Sequence, residues 1–281
     1  MVKIIHQPAT GSARSRAVLL HAHLFKNAGS TFDWSLQRSF GDAFTDHRDD
    51  DAMRRGAEYL GPYIQERPRL RALSSHWVTF PLPQLADVDI QLAMFFRDPI
   101  ERVRSVYNFE RRQQGVDSPG VRQARALGFV DYVRWRLEDG VGPVINNYHT
   151  RYCSGMYRGG DLEQMYDLAV ATIESTPLLG LVHRYHESVV LFEHHLQSVF
   201  PGLDLSWKVQ NSSGNQEMSG VGKRRATERD LEPVMEELVA ANRYDLRLYA
   251  LVEARFTKAL TGIGDVELRL QGLRTRNEML L

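Results

Sequence analysis

Two apolar runs in this chain each pass without a break into a helix start, and that pairing most constrains its fold. Ala17-Val18-Leu19-Leu20 leads through His23-Leu24-Phe25-Lys26-Asn27-Ala28-Gly29-Ser30-Thr31 into Phe32, Leu36 and Phe40 at four-residue spacing. Ile90-Gln91-Leu92-Ala93-Met94-Phe95-Phe96 reads as a buried strand and leads at once into Arg97-Asp98-Pro99-Ile100-Glu101. Strands alternating with amphipathic helices form βαβ units. Strands are expected at 17–23, 71–75, 91–96 and 178–182. Further helical patterns carry Phe129, Val133 and Leu137, and then Leu162, Met165, Ala169 and Ile173 behind a capping Asp161. Residues 185–199 give another helix, ended by Pro201 and Gly202. Thr227 opens a long terminal pair with Leu246, Tyr249, Val252 and Phe256. The expected fold is α/β: P-loop-like, three-layered, with a central, mainly parallel sheet flanked by helices. It forms one domain over residues 1–281, with 1–16 peripheral. Residues 42–56 read as a solvated acidic loop. Residues 207–225 read as a mobile polar loop ending in Lys223, Arg224 and Arg225, a basic triplet able to close over a nucleotide.

The loop after the first run has the makings of an anion cradle. A strand, a tight turn with one lysine and a helix opening on two hydroxyls leave free N–H groups at the helix start. The helix dipole favours negative charge there. Lys26 adds a mobile point charge, and Ser30 and Thr31 add short hydroxyl donors. Such a loop suits a nucleotide's 5′ phosphate and the group that phosphate carries. It is not a Walker A sequence, which places lysine after the glycines; here Lys26 comes three residues before Gly29.

The second segment predicts another anion site. Asp98 is a good N-cap, Pro99 suits the first helical position, and Glu101 completes an acidic capping box. Ser105 lies about two turns beyond the cap, on the face where Arg97 leaves the strand. An arginine fork and a serine hydroxyl together can hold a second phosphate.

Together the two segments resemble the sulfotransferases that use 3′-phosphoadenosine-5′-phosphosulfate. The resemblance is closest to the branch of the heparan sulfate 2-O-sulfotransferases and their bacterial relatives. In that branch a motif P-K-[TN]-A-G-[ST]-[ST] binds the 5′-phosphosulfate, and Lys26, Asn27, Ala28, Gly29, Ser30 and Thr31 are similar to it. A motif R-D-P-[IV]-E-R-x-x-S-x-[YF] binds the 3′-phosphate, which carries over to Arg97 and Ser105. Asn147-Tyr148-His149-Thr150-Arg151-Tyr152-Cys153-Ser154-Gly155 fits the same branch. So does Leu179-Gly180-Leu181-Val182-His183-Arg184-Tyr185-His186-Glu187-Ser188. Phe25 departs from it, because the family has proline before the lysine. The resemblance implies a sulfotransferase with that phosphosulfate as co-substrate and adenosine 3′,5′-bisphosphate as product. It implies no metal, and a hydroxyl acceptor that is a carbohydrate or another small glycosylated molecule. Eukaryotic members carry a Golgi anchor, so the expectation here is a bacterial cytoplasmic enzyme or a trimmed chain.

Composition limits the alternatives. A chain of 281 residues suffices for one large α/β domain. A formal net charge of +0 gives no bulk attraction to nucleic acid or to an anionic membrane, so neither is an expected partner. The single cysteine, Cys153, forms no intrachain disulfide and is expected as a buried small hydrophobe in a reducing compartment. The polar N-terminus lacks the apolar core of a signal peptide, and no run reaches the roughly 18 apolar residues of a spanning helix. A cytoplasmic location follows as the expectation. Ten histidines come without H-E-x-x-H or Cys-x-x-Cys, and the adjacent His194 and His195 point to different sides of a helix.

Sulfuryl transfer needs positioned reactants, stabilised leaving oxygens and a base. Lys26, Ser30, Thr31 and the loop amides sit where the leaving charge would grow. His76 follows the strand at 71–75, in Ser75-His76-Trp77-Val78-Thr79-Phe80. It would face the same crevice at the carboxyl end of a parallel strand. The resemblance adds a catalytic histidine in a setting similar to that of His76. His23 competes for the role, although its neighbours Leu20 and Leu24 suggest a packed position. Two other functions use the same residues. A magnesium-dependent nucleotide phosphotransferase would need Asp98, which capping already claims. A non-catalytic nucleotide-binding protein would keep Lys26 and Arg97 and tolerate loss of His76. Arg111, Arg112, Arg151 and Arg158 could meet an anionic sugar, and Trp34, Trp77 and Trp135 could stack on one; surface and core positions explain the same residues.

Overall fold

The apolar run at 17–20 occupies the centre of the sheet. The computed structural model describes residues 16–157, 159–208 and 220–280. The chain runs through β1 (Arg16–Ala22), α1 (Gly29–Phe40), β2 (Phe44–Asp46), α2 (Asp50–Met53), α3 (Ala57–Gln65) and β3 (Ala72–Ser75). There follow β4 (Val88–Phe96), α4 (Pro99–Arg112), α5 (Pro119–Ala126), α6 (Phe129–Leu137), α7 (Tyr148–Cys153), α8 (Leu162–Ser175) and β5 (Leu178–Leu181). The C-terminal part holds α9 (Tyr185–Leu196), α10 (Gly220–Asp230), α11 (Met235–Ala241), α12 (Arg243–Thr261) and α13 (Val266–Glu278).

The strands form one sheet in the order β2-β3-β1-β4-β5, and every neighbouring pair is parallel. The expected α/β fold, a central parallel sheet flanked by helices, is the observed one. The register sets Ala22 beside Ser75 of β3 and Met94 of β4. His23, His76 and Arg97 therefore leave one edge of the sheet. On one side of β1 the chain forms the edge strand β2 and returns inward to β3, then enters β4 on the other side. Open parallel sheets bind ligands at such a reversal. Among the described residues, no helix is long and apolar enough to cross a membrane.

Val18, Leu19, Leu20, Ala93 and Phe96 are fully buried. Phe32 of α1 meets Phe95 of β4 with ring centroids 5.1 Å apart, and Phe95 meets Phe192 of α9 at 5.1 Å. Each such side chain contributes about 1.5–3 kcal/mol on burial. A second apolar cluster, including Ile100, Val103, Tyr132, Val133 and Leu238, joins α4, α6 and α11.

The structure corrects three expectations. Residues 42–56 contain β2 and α2 rather than a plain acidic loop: Phe44-Thr45-Asp46 is too short to show a period, but pairs with β3. Asp49 caps α2 by accepting from Ala52 N–H at 3.0 Å. Within 207–225, residues 220–225 belong to α10, so the basic triplet stands on a helix; 209–219 lie outside the described residues. Thr227 sits inside α10 instead of opening a terminal pair, and three helices follow it.

Candidate functional site

The loop after β1 is anchored before it turns. His23 N–H donates to Ser75 O at 2.9 Å. Lys26 and Ala28 then take φ of 64° and 63°, a left-handed conformation that non-glycine residues adopt only where the surroundings impose it. Ala28 is the N-cap of α1, which has no side-chain cap and no acid in its first turn. Thr31 N–H reaches Ala28 O at 3.2 Å, which leaves the Gly29 and Ser30 amides ahead of the first bond of the helix. Ser30 is exposed and Thr31 half-buried beside them.

Asn27, expected at the nucleotide, has its side chain committed within the protein. It is 1% exposed. Nδ2 donates to Phe25 O at 2.9 Å, and Oδ1 accepts from Arg97 N–H at 2.6 Å. His149 Nε2 lies 3.2 Å from the same Oδ1. Asn27 is a strut between the lysine loop and the end of β4. Phe25 N–H donates to Tyr148 Oη at 2.7 Å. Tyr148 and His149 open α7, which is locked to α12. Asp245 accepts from His149 N–H at 2.9 Å and Thr150 N–H at 2.7 Å. Asn147 Oδ1 accepts from Tyr244 N–H at 3.1 Å. The stretch 147–155 thus braces the loop from behind.

Lys26 lies 4.3 Å from the Phe109 ring centroid, with no carboxylate partner among the described residues. Burial, then the neighbouring Arg97 and Arg112, bring its ammonium down to about 8. An anion would relieve that excess positive charge. Arg97 Nη1 stands 3.4 Å from Glu101 Oε1, while its buried Nε has no hydrogen-bond partner among the described residues. Asp98 Oδ1 caps α4 through Ile100 N–H at 2.9 Å and Glu101 N–H at 3.0 Å, and Oδ2 pairs with Arg224. The capping box forms only in this half, because Glu101 turns toward Arg97. Ser105 is half-buried on α4, next to Arg104, which reaches Thr227 Oγ1 at 3.0 Å. The basic helix α10 therefore borders the expected second anion site.

His76 Nδ1 lies 2.9 Å from His23 O. A carbonyl can only accept, so the proton sits on Nδ1 and Nε2 keeps its lone pair. Burial and the adjacent His23 lower this imidazole to about 4, which leaves it neutral. The two rings are 4.0 Å apart. His23 Nδ1 and His21 Nδ1 face the two oxygens of Asp33 at 2.8 and 2.7 Å. Burial would raise the Asp33 carboxyl, but the two histidines outweigh it and hold Asp33 well below the usual carboxylate range. Burial keeps His23 below its ordinary value. His23 is 5% exposed, as its apolar neighbours suggest. Its ring also covers Gly29: a Cβ there would stand 2.1 Å from His23 Cδ2. Asp33 escaped the sequence reading; its one signal is a carboxylate on the apolar face of α1, beside Phe32 and Leu36. His21, His23 and Asp33 bring three possible metal donors within 4.8 Å, outside any recognised spacing. Hydrogen bonding accounts for their arrangement, since each Nδ1 faces its own carboxylate oxygen.

A cavity of about 280 Å³ opens beside His76, walled by Phe25, Trp77, Tyr148, Tyr152 and Tyr157. A larger one, about 740 Å³, follows residues 80–90 and α8, apart from these groups. Trp34 and Trp135 pack on the two apolar clusters instead. Arg111 reaches Tyr107 Oη and Arg151 lies 4.0 Å from Met165 Sδ; Arg158 lies outside the described residues. Cys153 is buried, and burial pushes its thiol well up, away from reactivity.

No protein-family model matches the chain. Over 201 residues it is 29% identical to an uncharacterized protein of Archaeoglobus fulgidus, covering 66% of this chain and 76% of that relative.

Proposed function

We propose that the chain is a sulfotransferase moving a sulfuryl group from 3′-phosphoadenosine-5′-phosphosulfate to an acceptor hydroxyl. One observation carries this: among the described residues, a helix start without a side-chain cap, a lysine with no carboxylate partner and a neutral histidine whose Nε2 has no hydrogen bond meet at the ends of adjacent parallel strands. The first amides of α1, with Lys26, Ser30 and Thr31, would take the 5′-phosphosulfate; Arg97 and Ser105 would take the 3′-phosphate. The acceptor oxygen attacks sulfur. The bond from sulfur to the 5′-phosphate oxygen breaks, and its electron pair leaves on adenosine 3′,5′-bisphosphate. The acceptor proton goes to His76 Nε2. Lys26 and the helix start stabilise the departing oxygen.

A kinase-like alternative is less well supported. Asp98 is the carboxylate at the strand end that would hold magnesium, and both of its oxygens are engaged, by the α4 cap and by Arg224. A binding protein without catalysis gives no role to the oriented Nε2 of His76. The test is calorimetry with adenosine 3′,5′-bisphosphate and 5′-AMP. The bisphosphate should bind at least about tenfold more tightly, a difference of ~1.4 kcal/mol, and should raise the melting temperature. Equal affinities would remove the second anion site, and the sulfotransferase assignment with it.

A further inference from the structure

The geometry points to a phenolic alcohol of one or two rings, without negative charge, as the acceptor in the cavity beside His76. This rests on the sulfotransferase proposal, and it departs from the carbohydrate that the resemblance implies.

The wall is a box of rings. Trp77 and Tyr157 meet edge to face at 5.3 Å, and Tyr148 and Tyr157 at 6.0 Å. Faces and edges placed at right angles grip a flat aromatic guest on several sides. The volume of about 280 Å³ lies just below the usual range for small-molecule sites, and suits one or two fused rings rather than an oligosaccharide.

The polar groups of the lining are few in kind. Besides tyrosine hydroxyls, the lining offers His76 and Asp50. Tyr148 Oη already accepts from Phe25 N–H. A sugar brings several hydroxyls, and each one buried unpaired costs free energy. A phenol brings one, and His76 Nε2 can accept its proton.

Charge and acidity agree. Asp50 is the one charged residue of the lining among the described residues, so an anionic sugar meets a like charge on the cavity wall. Arg54 is spent on the Trp77 ring, 4.1 Å from its centroid, and on Asp51 at 2.6 Å. A histidine held near 4 is a weak base. A phenol, with a pKa near ~10 like tyrosine, releases its proton far more readily than water or an aliphatic alcohol.

The test uses the full chain with the phosphosulfate donor and follows bisphosphate release. The acceptors are 2-naphthol, 4-methylphenol, methyl glucoside and a glucuronate-containing disaccharide. A second arm measures 2-naphthol binding without donor by ligand-observed magnetic resonance. The phenols should exceed both saccharides in kcat/KM by at least about 100-fold. Trp77→Ala should raise the KM for 2-naphthol about tenfold while calorimetric affinity for the bisphosphate stays unchanged. Val144→Phe, which narrows the cavity, should do the same if the Trp77 variant fails to fold. Saccharide turnover equal to or above that of the phenols overturns the phenol assignment and leaves the sulfotransferase proposal standing. So does bisphosphate binding with no binding of 2-naphthol. Failure of the bisphosphate to bind removes the acceptor role altogether, and the sulfotransferase proposal fails with it.

Discussion

Lys26 is the residue on which the donor half of the site turns. Its ammonium has a ring beneath it and cations around it, but no carboxylate among the described residues. It serves a ligand rather than the core, so Lys26→Ala should melt like the parent while turnover falls by about 10²–10³. Near-normal turnover would remove Lys26 from the chemistry. Titration offers an independent check. The free amine is near half-protonated at about pH 8, and a bound phosphate favours the charged form. Bisphosphate binding at pH 8 should therefore take up protons, read by calorimetry in two buffers of different ionisation enthalpy. Zero uptake would mean the phosphate does not meet Lys26. For His76, the prediction is a split between binding and catalysis. His76→Asn should keep bisphosphate affinity and lose turnover by roughly 10²–10⁴. The acid limb of kcat/KM should fall near pH 4 rather than near 6.5, because burial and His23 keep the imidazole neutral until then. An acid limb near 6.5 would show that Nε2 is more solvated than this geometry allows.

At the scale of elements, the site is a set of mutual supports. The lysine loop is tied to β3 through His23 N–H, to β4 through Asn27 and to α7 through Tyr148. Arg102 of α4 lies 4.2 Å from the Tyr148 ring and donates to Val144 O, bracing the cavity wall from inside. The tightest point is between α1 and the loop. Gly29→Ala would drive a methyl into the His23 ring, which must then rotate off Asp33. The expected cost is about 1–3 kcal/mol of stability, with weaker bisphosphate binding because the helix start shifts. Urea denaturation and calorimetry measure both; a variant matching the parent would show that the ring is free to move. Asp98 and Pro99 were legible in sequence because capping obeys local rules. The partner of Glu101 was not, since Arg97 competes with the backbone for that carboxylate only once β4 and α4 are joined.

For the whole molecule, the buried neutral histidines set the acid limit. His23, His76 and His149 are all lowered by burial, whereas unfolded histidine titrates near ~6.5. Below that pH the unfolded chain binds protons that the folded chain refuses. Stability should therefore fall as pH drops from about 6.5 toward the folded values, by up to ~1.4 kcal/mol per pH unit for each histidine. Urea midpoints at pH 7 and 5 test this; equal midpoints would mean that these rings are hydrated in the fold. The sequence by itself determined the strand–helix alternation, the sheet-centre runs, the capped start of α4 and the lysine loop. All of these are written in residues a few positions apart, where period, caps and turn residues act locally. Only the tertiary structure decided that β2 joins the sheet, that the basic triplet stands on a helix over α4, and that Asn27 is a strut. It also decided that Asp33 orients two histidines and that rings from separate segments enclose one cavity beside His76. Those outcomes depend on burial and on partners up to more than a hundred residues away, which no local pattern encodes.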